Sequence, residues 1–429
     1  VSDAVPAAWK RNVALFLSGQ TVSLFGSMIV QYAAMWYVTL ETRSGLAVAL
    51  YAIAAFAPQG VISLFGGVVA DRMNRKVLVI VADASIAAAT LVLAFLMLSG
   101  VTDLWIVMVA VAVRSVGAGF QQPAVQAMIP QLVPEDQLMR VNGVFQTISS
   151  AMALLAPAAA GLVYGVWGIV PVFFIDFVTA VLGIGLLALV PVPTLASIAE
   201  KKTGYMEDLV EGMRYIASHA IVRWVLVLFG IIFLLTVAPS FITPLMVARS
   251  FGGDVWMLTV LELAFSVGML LGGILVATLL AKRSRVGLIV VSSFGFGVFT
   301  AGLGLSPNLW VFYGFMFLVG LFVPLFSASS MTLLQETVPL DKQGRVFSYF
   351  GIIMAVATPI GTAVFGPLAD VVAVELLLVA AGVITVVVIV VAVLVPTGRA
   401  AMRAVSDHEL PGAEAHDSDG RPERADVGA

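Results

Sequence analysis

Cysteine is absent from the 429 residues. Disulfides, thiolate-bound metals, iron–sulfur clusters and cysteine nucleophiles are therefore excluded, and the redox compartment cannot be read from cysteine usage. Histidine occurs three times, at His219 in a polar linker and at His408 and His416 near the end. No histidine-built catalytic or metal centre is expected within an apolar segment. Charge is scarce as well: Asp, Glu, Lys and Arg make up 11% of the chain, against about 25% in a soluble domain. The 22 basic and 25 acidic residues are too few to clothe a soluble surface of this size. No dense basic stripe occurs outside short loops, so a nucleic-acid partner is not expected. Hydrophobic residues dominate instead, at 61% with a mean hydropathy of +1.07. The solvent for most of this chain is lipid.

A membrane-spanning helix needs about 20 apolar residues. Twelve such runs are present, near 12–38, 46–70, 77–99, 104–126, 142–165, 170–193, 224–247, 255–280, 286–305, 309–334, 346–368 and 374–396. They lack strand alternation and are too long for a β-barrel, so an all-α integral membrane fold is expected. The first run follows Lys10 and Arg11, exceeds a signal-peptide core in length and precedes no small-residue cleavage site. It is expected to be a retained span. With twelve spans both termini share one side. That side collects 19 Lys and Arg residues, whereas the other has only Arg43 and Arg249. The asymmetry places both termini in the cytoplasm of a cell-membrane protein.

The expected units are an N-terminal six-helix half at 1–193, a cytoplasmic linker at 194–223, a C-terminal six-helix half at 224–397 and a tail at 398–429. The tail carries four arginines and seven acids, which account for the whole net charge of −3. Its Ala, Gly, Pro, Asp and Glu bias predicts disorder and a solubilising role, a docking role being the alternative. In the linker, Leu209, Met213, Ile216 and Ile221 form an apolar stripe opposed by Glu207, Asp208, Glu211 and Arg214, the pattern of a helix lying at the membrane surface. The halves repeat at an offset of 205: Val133-Pro134, Asp136, Arg140-Val141, Phe145 and Gly161 match Val338-Pro339, Asp341, Arg345-Val346, Phe350 and Gly366. Two six-helix halves in the same orientation form a transporter architecture with a path along their interface.

After the second run stands Gly66-Gly67-Val-Val-Ala70-Asp71-Arg72-Met-Asn74-Arg75-Lys76. This resembles the GxxxDRxGRK signature of the major facilitator superfamily, in the expected loop. Gly67 permits close helix approach, Asp71 suits a helix N-terminus or an arginine, and the basic cluster holds the membrane edge. Asn74 replaces the usual second glycine and is expected to supply the left-handed conformation of a tight turn. The resemblance implies a cytoplasmic gate latch at Gly67, Asp71, Arg72 and Arg75, with Asp83 close enough to pair with the arginines. Further stretches, among them Gly19-Gln20, Ala82-Asp83, Arg114-Ser115-Val116-Gly117 and Ser266-Val267-Gly268, resemble the macrolide-efflux branch of the drug:proton antiporters. That branch implies proton-driven export of hydrophobic or amphipathic drugs. It also resembles siderophore exporters, which leaves the substrate open.

Asp83, Arg114, Asp176 and Glu262 are the ionisable residues clearly inside runs. Each would cost about 2.5–3.5 kcal/mol or more facing lipid, so they should face the bundle interior or a watery cavity. Glu262 is the first candidate for the proton-bearing acid. Arg114 resembles the superfamily's motif B arginine, although Gly117 and Gly119 follow it by three and five residues rather than four and six. It cannot shed its own proton, but it can tune a neighbouring carboxylate. Asp176 is either a coupling residue or a helix tether. In span five, Pro157 and Gly161 resemble a degenerate antiporter GPxxGG motif and suggest a gate helix at the half–half interface, alanine-rich packing being the alternative.

For the substrate cavity, Gln20, Ser23, Ser27 and Gln31 share one face of span one, and Thr236, Ser240 and Thr243 share one face of span seven. Tyr313, Phe317 and Phe350 could add aromatic walls. Such polar faces must meet protein or water. The sequence thus predicts a proton-coupled exporter working by alternating access, with a siderophore or metabolite exporter and an uncoupled uniporter or importer as alternatives. An enzyme is disfavoured for want of a nucleophile or metal cluster. The expected partners are a small-molecule substrate, protons and the lipid bilayer. No cofactor and no metal are expected, and the expected functional unit is a monomer.

Overall fold

A computed structural model describes residues 9–192, 205–280 and 283–400; the side chains of residues 64–72, 135, 205–210, 340–341, 344 and 355 fall outside the described set. Residues 401–429 of the expected disordered tail, the linker residues 193–204 and the side chains of Gly67, Asp71 and Arg72 thus lie outside the described residues, while residues 398–400 are helical.

Among the described residues the chain forms thirteen α-helices and no strand. They are α1 (Trp9–Thr42), α2 (Gly45–Arg72), α3 (Arg75–Leu98), α4 (Leu104–Leu132), α5 (Leu138–Trp167), α6 (Ile169–Ala188), α7 (Tyr205–Ser218), α8 (Ala220–Met246), α9 (Val255–Ala277), α10 (Arg285–Gly304), α11 (Leu309–Thr337), α12 (Leu340–Val371) and α13 (Val374–Leu394). All but α7 are long and apolar enough to cross a membrane. Lipid offers the backbone no hydrogen-bond partners, so each apolar run satisfies its own amides as a helix. The helices overshoot the apolar runs. The 34 residues of α1 measure about 51 Å, well beyond the roughly 30 Å of a hydrocarbon core.

The packing repeats. In the first half α1 packs on α5 and α6, α2 on α4, and α3 on α4 and α6. In the second, α8 packs on α12 and α13, α9 on α11, and α10 on α11 and α13. Adding seven to each label of the first set yields the second, which is the two-fold relation anticipated from the 205-residue offset. The matched connectors also fold alike. Val133 ends α4 and Val338 ends α11 in extended conformation, as residues before proline favour. The contacts between halves obey the same symmetry, α2 against α12 and α5 against α9.

Those contacts concentrate at the end bearing the α1–α2 connector. Gly45 opens α2 where Gly366 closes α12, and a Cβ on Gly366 would strike Ala49 and the Gly45 carbonyl. On the other side of the interface a Cβ on Gly161 of α5 would strike Thr259 of α9. Small residues at these positions let the two halves meet backbone to backbone and close this end.

The linker helix α7 docks on the second half. Its buried face is Gly212, Tyr215 and Ile216, docked on α12, while Met213 and Ile221 of the predicted stripe are exposed. Leu209 lies outside the described side chains. Arg345 pairs with Glu211 at 2.7 Å and the Lys342 ammonium stands 4.9 Å from the Tyr215 ring centre. These contacts hold the helix on α12.

Candidate functional site

The first half encloses a cavity of about 270 Å³. Its walls come from α1 to α5, and its polar groups include Gln20, Ser27, Gln31, Gln59, Arg114 and Gln121. Local chain chemistry shapes it. Pro58 interrupts the hydrogen-bond ladder of α2, and Ser115 of α4 enters the gap. The Ser115 hydroxyl donates to the Ala55 carbonyl at 2.7 Å and accepts from the Gln59 amide at 2.9 Å. This staple fixes α2 against α4 one residue away from Arg114. Beyond it, the Gln59 and Gln122 side-chain amides join at 3.1 Å along the cavity wall.

Arg114 is 11% exposed and pairs with Asp176 of α6, whose side chain is fully buried. Thr90 of α3 joins both, accepting from Arg114 and donating to Asp176 Oδ2 at 2.9 Å. Ser27 donates to the other carboxylate oxygen at 3.2 Å. Four helices are thereby tied through one ion pair whose hydrogen bonds offset the cost of taking both charges from water. Thr90 escapes sequence reading because a lone threonine in an apolar helix carries no signal. The run of amides Gln121, Gln122 and Gln126 in span four did carry one, being polar inside a membrane helix.

Asp83 is not paired with Arg75. Its Oδ1 accepts from Ser23 at 3.4 Å and from Gln121 Nε2 at 2.5 Å. Arg75 instead donates to the Ala127 carbonyl of α4 at 2.8 Å. The reason is reach. Asp83 lies two turns along α3 from Arg75, and the guanidinium finds a carbonyl in the last turns of α4. Asn74 also departs from expectation. It is extended, with φ −65° and ψ 111°, and its side chain caps α3 by accepting from the Lys76 and Val77 amides. Asparagine here replaces a turn glycine by capping a helix, not by adopting its left-handed conformation. Lys76 then closes the C-terminal end of α6, donating to the Ala188 and Val190 carbonyls, each at 2.7 Å.

The span-seven face does not line this cavity. Thr236 and Thr243 bond carbonyls of their own helix, as does Ser240, which is exposed. A hydroxyl four residues from a carbonyl finds it without any cavity. Tyr313 is 5% exposed and donates to the Met257 carbonyl at 2.9 Å, inside the packed core. Phe317 packs α11 on α9 at Gly268, and Phe350 stacks on Phe229 with centroids 3.9 Å apart. Ser23 turns to Asp83, so Gln20, Ser27 and Gln31 are the predicted cavity residues that line it.

Glu262 lies half-buried on α9, three residues from the Thr259 contact with Gly161. Tyr32 of α1 is within electrostatic reach of it. The acid therefore stands at the half–half interface, and Arg114 is occupied elsewhere.

At the closed end a polar clamp joins the halves, one that sequence reading passed over. Asp370, in the last turn of α12, accepts from Ser44 Oγ at 2.9 Å, Gly45 N at 2.6 Å and Leu46 N at 2.9 Å. It thereby caps the N-terminus of α2 from the opposite half. Arg249 donates to Asp370 at 2.7 Å, to the Ala369 carbonyl at 2.5 Å and to the Arg43 carbonyl at 2.8 Å. Arg43 itself has a positive φ of 48°, a conformation that disfavours its side chain and marks a tightly held turn.

Comparisons with known proteins agree with this architecture. A family model described as transmembrane secretion effector matches residues 9–420. Macrolide efflux protein A of Streptococcus pyogenes is 32% identical over 366 residues, covering 84% of this chain and 90% of that protein. Macrolide efflux protein A of Enterococcus faecalis is 33% identical over 310 residues, 71% of this chain and 96% of that one. A bacterial homologue of the iron transporter ferroportin, solved in an inward-facing state, superposes with a TM-score of 0.69 at 16% identity, covering 89% of this chain and 98% of the other. At that identity the likeness speaks for the fold. With twelve spans in two repeated six-helix halves and a family match over nearly its whole length, this chain is a multi-pass membrane transporter of the major facilitator superfamily and belongs to its transmembrane secretion effector family.

Proposed function

We propose that this protein exports hydrophobic or amphipathic small molecules, macrolide-type drugs among them, in exchange for protons by alternating access of its two halves. The observation that carries the reading is the cavity in the first half, polar and arginine-bearing, combined with an interface sealed at the opposite connectors. The 19-to-2 distribution of basic residues supports an orientation with both termini in the cytoplasm. In that orientation the sealed end faces outward and the cavity loads from the cytoplasm. Amides and hydroxyls along an otherwise apolar wall suit a substrate with scattered hydrogen-bonding groups on an apolar body. Glu262 is the interfacial acid that links proton loading to the movement of the halves, and the Arg114–Asp176 pair holds the cavity wall in register. The working unit is a monomer in the bilayer, with halves at 1–193 and 224–397 and no cofactor.

The test is efflux from cells over-expressing the protein, with a drug panel and a protonophore control. Protonophore-sensitive efflux of a macrolide is expected, and insensitive efflux would sink the antiport reading. In proteoliposomes, Glu262→Gln should abolish proton-driven transport while leaving downhill exchange. Unchanged driven transport would favour an uncoupled carrier.

A further inference from the structure

The first half buries two carboxylates, and Arg114 pairs with one of them. Asp176 takes the guanidinium of Arg114. Asp83, on α3, is 2% exposed and feels the charge of Asp176. Its Oδ1 accepts from Ser23 and Gln121, both neutral donors, while its buried Oδ2 has no hydrogen-bond partner. The groups facing it are few. From α4 comes Gln121 and from α1 Ser23, neither of which titrates, and α6 contributes Asp176, itself engaged by Arg114 and Thr90. On its own helix Arg75 is directed to the Ala127 carbonyl, and the side chains of Asp71 and Arg72 on α2 are outside the described set.

A carboxylate in such surroundings carries a desolvation cost that two neutral donors do not offset, whereas a protonated carboxyl carries a far smaller one. Oδ1 is the oxygen that accepts, and Oδ2 is the one left to hold the proton. Gln121 bonds Asp83 on one side and lines the cavity on the other. Movement of that single amide joins Asp83 to cavity water.

We infer that Asp83 is a proton-binding residue of this transporter, exchanging its proton with the cavity of the first half past Gln121. The inference rests on the proton-coupled reading above and adds a second acid to Glu262. When Asp83 is loaded, the Arg114–Asp176 pair is undisturbed. When it releases its proton to cavity water, a second negative charge arises within electrostatic reach of Asp176. Because Gln121 bonds Asp83 and lines the cavity, the proton state of Asp83 is felt where substrate binds.

A purely structural role, tying α1, α3 and α4, makes a different prediction. Asp83→Asn keeps the size and the accepting oxygen but cannot bind a proton. The experiment is infrared difference spectroscopy of the purified protein in nanodiscs across a pH titration, following the carbonyl stretch of protonated carboxyls. Wild type should show a titrating buried-carboxyl band that is absent from Asp83→Asn, shifted in Asp83→Glu and retained in Glu262→Gln. In proteoliposomes the pH profile of erythromycin efflux should flatten in Asp83→Asn. Retention of every titrating band together with a wild-type pH profile would overturn the inference. If Asp83→Asn fails to fold, an Asp83→Glu spectrum identical to wild type does the same. The parent reading fails separately, by protonophore-insensitive efflux in the wild type, whatever the Asp83 band shows.

Discussion

Removing one carboxylate at the sealed end should measurably open it. Asp370 belongs to the second half, whereas Ser44, Gly45 and Leu46 belong to the first, so any separation of the halves at this end breaks those bonds. Loss of a helix N-cap costs about 1 kcal/mol. The Arg249–Asp370 pair is 28% and 30% exposed, and an ion pair so placed contributes at most about 1 kcal/mol. Asp370→Ala should therefore shift the equilibrium toward opening by about 2 kcal/mol, roughly 30-fold. A minor open form at about 1% would rise to roughly a quarter of the population. The native chain has no cysteine, so spin labels can be placed singly without background substitutions. Asp103 in the α3–α4 connector and Pro307 in the α10–α11 connector are exposed and lie at this end, one in each half. Double electron–electron resonance between labels there should show a new long-distance population in Asp370→Ala. Arg249→Ala should act in the same direction, and the double variant should add less than the sum because the two residues share bonds. Distance distributions identical to wild type in both single variants would refute the assignment of this clamp to the gate.

Gly161→Val should act on the same equilibrium by sterics, because a side chain there collides with Thr259. The same label pair should report an open sealed end and transport should fall. Arg114→Ala leaves the fully buried Asp176 carboxylate uncompensated, which should lower stability by about 3–5 kcal/mol. Thermal unfolding in detergent would register it, and adding Asp176→Asn should restore part of the loss.

The spans were legible because lipid imposes one rule on every backbone amide, and twelve apolar runs obey it. Orientation of the repeat was legible too, since duplication leaves matched residues such as Val133-Pro134 and Val338-Pro339 in register. Side-chain partners were less so. Arg114 and Asp176 were both marked as ionisable residues inside the membrane, yet nothing in sequence order says that they meet across α4 and α6. Thr236, Ser240 and Thr243 form a polar face on paper, and the helix absorbs each hydroxyl into its own carbonyl ladder. Asp370 lies just past the end of an apolar run, where nothing in the sequence singles it out. Its function depends on the start of α2, some 325 residues away in sequence.

The pseudo-symmetry of the backbone contrasts with an asymmetry of chemistry. Asp83, Arg114 and Asp176 all lie in α3, α4 and α6, within the first half. At the offset of 205 their counterparts are Leu288 on α10, Val319 on α11 and Ala381 on α13, all apolar and buried. Duplicated halves need not share labour once they move as rigid bodies. One half can hold the charges that recognise protons and substrate, while the other supplies a lever. The second half then needs to contribute charge only where the lever meets the first half. Glu262 on α9, Asp370 on α12 and Arg249 beyond α8 occupy such positions. On the proposed antiport reading, proton state in the first half moves the second only through these contacts, so Arg249 and Asp370 variants should weaken proton-driven efflux without abolishing drug binding, and loss of binding in those variants would refute the division of labour.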